Sequence, residues 1–134
     1  MSRVTAMNTV LESRVPFRLG RLVHRSSGAA EGVVLDTGDV AVGTVTLQPE
    51  TSVAGIPATV VDYQLECATN AETDVPELLR DLVEHALAAG GVRVELRCLL
   101  DDVSRVRSAL GAGMRYEGVA RAAHARGKAV FSRL

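Results

Sequence analysis

Few side chains in this chain could do chemistry, and they are scattered. Cys67 and Cys98 are its only thiols, and His24, His85 and His124 its only imidazoles. A nucleophilic cysteine needs a nearby histidine or basic group to lower its pKa, and no such pair is visible. A buried, inert thiol is the default for each. No histidine has a Cys, His or Asp partner at ligand spacing, so no metal site is expected. Glu66 could act as a base toward an amine if it borders a cleft; a solvated carboxylate is the plainer reading. Arg93 and Arg97 share one face of an alternating segment and could bind an acidic group; pairing with Glu95 or with the acidic middle of the chain is the plainer reading. Tyr116 offers a hydroxyl. None of these residues defines a reaction alone.

The elements that must position them are more legible. Val15 to His24 has a loose alternation and could be a strand. Glu31–Asp36 and Asp39–Gln48 read as two strands joined at Thr37-Gly38, which has the length of a tight hairpin turn. Pro49 to Pro57 reads as a turn region, and Ala58–Glu66 as a further strand. Val75, Leu78, Leu79, Leu82, Val83, Ala86 and Leu87 then form one apolar stripe at helical spacing. Asp74 followed by Glu77 resembles a capping box, with Pro76 in the first turn and Gly90-Gly91 at the end. His85 falls on the polar face of that helix, as a solvated side chain. Val92 to Leu99 alternates, with Val92, Val94, Leu96 and Cys98 on an inner face and Arg93, Glu95 and Arg97 outward. Asp101 or Asp102 can cap a short helix through Leu110, with Val103, Val106 and Leu110 inward. Met114–Arg121 and Lys128–Leu134 read as final strands, with Ala122–Gly127 turning between them. Strands, helix, strand, helix and strands make an α/β or α+β pattern.

Composition limits the class. The chain has 134 residues, 47% of them apolar, 23% charged and only 3% aromatic. That suits one domain with a core of Val, Leu and Ala. The net charge is −1, against disorder and against a broadly basic nucleic-acid binder. The charge is uneven. Residues 31–84 carry eleven acids against Arg80 alone, between two basic flanks. The flanks and middle could neutralise each other in the fold, or the acidic segment could face a cationic partner. No apolar run approaches a membrane span of about 18 residues. Two cysteines do not make a disulfide framework, and no cationic start leads into an apolar stretch, so a cytoplasmic setting is expected.

From Ala58 onward the chain resembles the GNAT superfamily of N-acetyltransferases. It is most similar to the bacterial-type branch that acetylates ribosomal-protein N-termini and small-molecule amines. The strings that carry this are VVDYQLE, LLRDLVEHAL, GVRVELRCLLDDV, GMRYEGVAR and RGK, in that order. The resemblance implies a GNAT-like three-layer fold, with a central mixed β-sheet and a long helix after the fourth strand. It implies one domain over 1–134, with shortened, divergent strands over 1–57 and a family-like part over 58–134. It also implies a ligand cleft where two strands splay, bordered by Tyr63, Leu65, Cys67, Arg97, Cys98 and Asp102. In this family Tyr116 stands at a packing position, so it and Glu66 are weak catalytic candidates.

Three departures from the family pattern bear on function. Family members wrap the coenzyme A pyrophosphate with a glycine-bearing loop at the helix N-terminus. Register places Asn70, Ala71, Glu72 and Thr73 in that loop, followed by Asp74, with no glycine. A like-charge pair at roughly 5 Å and an effective dielectric of about 20 costs about 3 kcal/mol. The helix dipole returns only about 0.3–2 kcal/mol. Second, Asp102 replaces an Asn, and Arg105 stands where the pattern has Ser. Asp cannot donate as Asn does, and Arg cannot act as an acid near neutral pH. Third, residues 1–30 show no counterpart of the helix pair that walls the family's acceptor pocket, so dimerisation over uncovered apolar sheet is expected. The resemblance with its departures implies an acetyltransferase-like protein with an eroded acetyl-CoA site. No cofactor is then expected, and the cleft would take a small molecule or peptide, or the chain would serve as a partner or repurposed biosynthetic protein. The alternative is an active acetyl-CoA-dependent N-acetyltransferase acting on an amine.

Overall fold

The computed structural model describes residues 17–51, 55–66, 71–119 and 127–133, at 71–74 by backbone alone. The strands are β1 (Arg18–His24), β2 (Ala30–Leu35), β3 (Ala41–Thr51), β4 (Pro57–Leu65), β5 (Val94–Cys98), β6 (Arg115–Val119) and β7 (Ala129–Arg133). Two helices, α1 (Ala71–Ala88) and α2 (Val103–Gly111), lie among them. All seven strands form one mixed sheet in the order β1-β2-β3-β4-β5-β7-β6. Every neighbouring pair is antiparallel except β4 and β5, which α1 joins in parallel.

The apolar stripe of α1 is the centre of the core. Val75, Leu78, Leu79, Leu82, Val83 and Ala86 are all buried. They pack with Val45, Leu47, Val61, Tyr63, Val94, Leu96 and Phe131 of the sheet in one cluster. That cluster also takes Ala109 and Ala112, so among the described residues both helices lie against the same sheet face. α1 starts earlier than its sequence signals suggest. Asp74 is its fourth residue rather than its cap, and Pro76 lies inside it. Pro76 therefore removes one bond of the helix ladder, which a first-turn proline would not.

Other expectations shift for physical reasons. β3 runs through Pro49 to Thr51, paired with β4 up to Thr51↔Pro57. Its pairing with β2 ends at Leu47↔Ala30, so Pro49 lies beyond that ladder and its missing N–H leaves no gap there. The β2–β3 hairpin forms, but over Asp36–Val40 rather than two residues. Asp36 Oδ1 accepts from the Gly38 and Val40 amides at 2.8 and 3.0 Å. β5 is shorter than the alternation, and both its faces are buried. Its charged face holds an ion network, with Glu95 fully buried between Arg93 at 2.7 Å and Arg97 at 2.9 Å. Glu117 and Glu50 extend that network, each at 3.3 Å from an arginine. Arg93 thus stays charged: burial alone would lower its pKa, but hydrogen bonds to Glu95 and Glu117 outweigh burial and raise it.

The short helix α2 is turned differently. Val103 and Leu110 face solvent, whereas Ser108 and Ala109 are buried. His85 is not a free solvated side chain either. Its ring stacks on His24 at 5.8 Å between centroids, joining α1 to the end of β1. The face of β1–β3 that no described helix covers is mixed rather than apolar. An open groove of about 430 Å³ there is lined by Arg21, Val23, Glu31, Val33, Thr44 and Thr46 among others. The Ala122–Gly127 turn lies mostly outside the described residues.

Candidate functional site: the splay between β4 and β5

Parallel pairing of β4 and β5 is brief. The partners are Thr59↔Val94 and Val60↔Glu95, with the Thr59 amide bonded to the Arg93 carbonyl at 2.9 Å. Beyond that point β4 stays with β3 as far as Leu65, while β5 is paired along its whole length with β7. The two strands therefore part at their C-terminal ends. Both helix N-termini follow those ends, α1 after β4 and α2 after β5. In open α/β sheets such a crevice outside the carboxyl ends of the strands is where ligands bind.

Parting leaves the edge of β4 without a strand partner, and at Tyr63 this chain satisfies it internally. The Tyr63 amide donates to the Asp62 carboxylate at 2.9 Å. The Tyr63 carbonyl accepts from Arg105 Nη2 at 2.7 Å. Arg105 Nη1 donates to Asp62 Oδ1 at 2.9 Å, closing the arrangement. Arg105 comes from α2, where Asp102 caps the helix by accepting the Arg105 amide at 3.2 Å. Asp102 Oδ2 also lies 3.3 Å from Arg105 Nε. The guanidinium carbon sits 4.4 Å from the centroid of the Tyr63 ring, a cation–π contact. Arg105, Ser108, Ala109 and Ala112 recur at i, i+3, i+4 and i+7, which explains why α2 turns this face inward.

Tyr63 and Cys98 are both buried. The Tyr63 hydroxyl is buried and completes no hydrogen bond; its contact with Ser108 falls short of one. Burial pushes this phenol up, opposed by Ser108 and the Arg105 charge. Burial likewise pushes the Cys98 thiol up, reinforced by Asp102 and opposed by Arg105. A neutral buried thiol is a poor nucleophile, in line with the inert role expected of it.

The structure brings three of the expected cleft residues together: Tyr63, Cys98 and Asp102. Leu65 closes β4, half-buried and paired with Gly43. Arg97 does not face the same way. It lies on the opposite sheet face from Cys98, with its donors taken by Glu95, Glu50 and the Thr51 carbonyl. Glu66 is exposed just past β4, its amide bonded to the Val42 carbonyl at 2.9 Å. Tyr116 is remote. β5 and β7 separate its strand from β4, and its ring packs 5.3 Å from that of Phe131. Cys67 and Asn70 lie outside the described residues. Ala71, Glu72 and Thr73 are not loop but the first turn of α1. The Asp62–Arg105 pair was not foreseen. Arg105 at a position that the family fills with Ser was its one signal, and nothing in the sequence pointed to Asp62.

Among the described residues no group of three or more His, Cys, Asp or Glu could hold a metal ion. No described helix is long and apolar enough to cross a membrane.

No protein-family model matches the sequence, and no curated protein does. Solved structures do. An acetyltransferase of the GNAT family from Bacillus anthracis is 14% identical, with a TM-score of 0.60 over 78% of this chain. The ribosomal L7/L12 α-N-protein acetyltransferase RimL is 17% identical, with a TM-score of 0.61 over 79%. The microcin C7 self-immunity acetyltransferase MccE, solved with acetyl-CoA and AMP, is 18% identical, with a TM-score of 0.60 over 79%. This chain spans 65%, 69% and 61% of those structures in turn. The chain has the GNAT acetyltransferase fold.

Proposed function

We propose that this is a GNAT-fold protein that does not use acetyl-CoA and that binds a small molecule or peptide at the splay. The carrying observation is the capped edge of β4. A ligand laid along a free strand edge gains its main-chain hydrogen bonds from that edge. Here the Tyr63 amide and carbonyl are already bonded to Asp62 and Arg105. The sequence adds two carboxylates and no glycine, Glu72 and Asp74, in the segment where family members hold a pyrophosphate, and like charge weakens such a site. These residues do not fit an extended thioester arm ending in a pyrophosphate. The reading includes one domain, a cytoplasmic setting, and a homodimer or partner protein that completes the cleft.

A calorimetric titration of acetyl-CoA tests this reading. No heat of binding is expected at ligand concentrations of about 1 mM, where a Kd near 1 mM would still be worth about −4 kcal/mol. Micromolar binding would overturn it.

A second reading, an active N-acetyltransferase on an amine, is favoured by one observation: a protein of similar structure was solved holding acetyl-CoA. In that case Glu66, exposed at the end of β4, is the nearest candidate base. Acetylation of an amine by the purified protein, lost in Glu66→Gln, would support it.

A further inference from the structure

We propose that Arg105 is a gate, and that the ligand site of the splay continues behind it to the Tyr63 hydroxyl. This inference rests on reading the splay as a ligand site, and two independent observations support it. The first is the hydroxyl itself. Tyr63 is 6% exposed, and its oxygen is buried with no hydrogen-bond partner. Native interiors satisfy such groups with protein, water or ligand, because leaving one unmade is costly. Ser108 and Cys98, the nearby polar groups, are 2% and 4% exposed. The group admitted is therefore a polar one that exchanges a hydrogen bond with the Tyr63 hydroxyl, which can donate or accept.

The second observation is how Arg105 is held. Its partners face outward: the side chains of Asp62 and Asp102 are 48% and 38% exposed, against 19% for Arg105. Water reaches the outer bonds of the plug while the Tyr63 ring floors its inner side. One long side chain can leave by rotamer change, with its backbone fixed in α2 by the Asp102 cap. Its departure frees the Tyr63 carbonyl and opens a path to the hydroxyl in a single step.

Cys98 is the reporter, because it stands on the opposite lip with Asp102, Arg105, Asp62 and Lys128 as the charges around its thiol. N-ethylmaleimide labelling is followed peptide by peptide, so that Cys67 is scored separately. Arg105→Ala should label Cys98 about tenfold faster than wild type, with unchanged far-ultraviolet dichroism. Losing the Arg105 cation would by itself slow the reaction, because that cation lowers the thiol pKa. Acceleration therefore reports access. Arg80→Ala, which removes the bond to the Gly111 carbonyl at the far end of α2, should leave the rate unchanged. Should Arg105→Ala not fold, Arg105→Gln, which keeps an amide donor, should still accelerate labelling. Wild-type rates in the folded Arg105 variants, or equal acceleration by Arg80→Ala, would overturn the gate. Either result leaves the acetyl-CoA titration to decide the wider reading by itself.

Discussion

Replacing Glu95 with glutamine removes one charge from the most buried ionic group in the described structure. Glu95 has no exposed surface and lies 2.7 Å from Arg93 and 2.9 Å from Arg97, both themselves buried. Removing one partner of such a pair leaves uncompensated buried charge, and typically costs about 3–5 kcal/mol. Each arginine keeps a second acceptor: Glu117 at 3.3 Å for Arg93, and Glu50 at 3.3 Å with the Thr51 carbonyl at 2.9 Å for Arg97. The expected loss is therefore at the lower end, about 3 kcal/mol. A domain of this size has about 5–15 kcal/mol in total, so the variant should fold but marginally. Urea unfolding measures it. With a slope of about 1–3 kcal/mol per molar, the midpoint should fall by at least about 1 M. Glu117→Gln is the internal comparison, because its carboxylate is partly exposed and Arg93 keeps Glu95; it should cost about 1 kcal/mol or less. A Glu95→Gln loss below about 1 kcal/mol, or no greater than that of Glu117→Gln, would refute the argument that Glu95 is the buried charge on which both arginines depend.

Three further changes probe other parts of the account. Gly43→Ala would place a methyl 2.3 Å from the Gln64 carbonyl oxygen and 2.7 Å from Leu65, where β3 meets the end of β4. Backbone cannot yield there, so a loss of about 3 kcal/mol, at the upper end for overpacking, is expected in urea unfolding. Leu82→Ala empties a fully buried position on α1 and should cost about 2–5 kcal/mol, read from the same transition. Asp81 has its pKa raised by burial first and then by the Glu77 and Glu84 charges. A carboxylate raised in the folded state binds its proton more tightly there, so its adverse effect is absent at low pH and appears as pH rises through the folded pKa. Asp81→Asn should accordingly raise Tm at pH 7, with a gain that shrinks as pH falls through the carboxylate range. A gain that grew toward acid pH would contradict this.

Local pattern carried far into the structure where one burial face decided the element. The α1 stripe from Val75 to Leu87 is such a case, and so is the hairpin of β2 and β3. Failures came where two faces competed. In α2 the bulky stripe of Val103, Val106 and Leu110 was expected inward. Val106 does pack against the core, but Val103 and Leu110 face solvent and the small face of Ser108, Ala109 and Ala112 is buried instead, because it allows close approach: a methyl on Gly111 would lie 2.9 Å from the Pro76 Cβ atom. In β5 the expected pairing of Arg93 and Arg97 with Glu95 and with the acidic middle is found, through Glu95 and Glu50, but alternation could not tell that the network would be buried on a strand read as half-buried. The helix start was misplaced because Asp74 and Glu77 mimic a cap from within the first turns.

The site was legible in outline only. Tyr63, Cys98 and Asp102 were expected at the splay and are found there, each at the end of an element that pattern could place. Asp62 and Arg105 were not paired in advance. They are 43 residues apart in sequence, and their meeting depends on how far β5 diverges from β4. That divergence is a property of the whole sheet, set by β7 claiming the full length of β5. The resemblance implied that Arg105 stands where the family has a Ser. It did not show that the replacement would reach across the opening and bond to the strand edge itself.

Amide hydrogen exchange over 61–66, with and without acetyl-CoA at about 1 mM, tests the capped edge most directly. The account predicts identical exchange in the two samples, because the Tyr63 amide is bonded to the Asp62 carboxylate and keeps that partner whether or not Arg105 is in place. Added protection along β4 on addition of the thioester would mean that the ligand takes that edge from Asp62 and Arg105, and would contradict it.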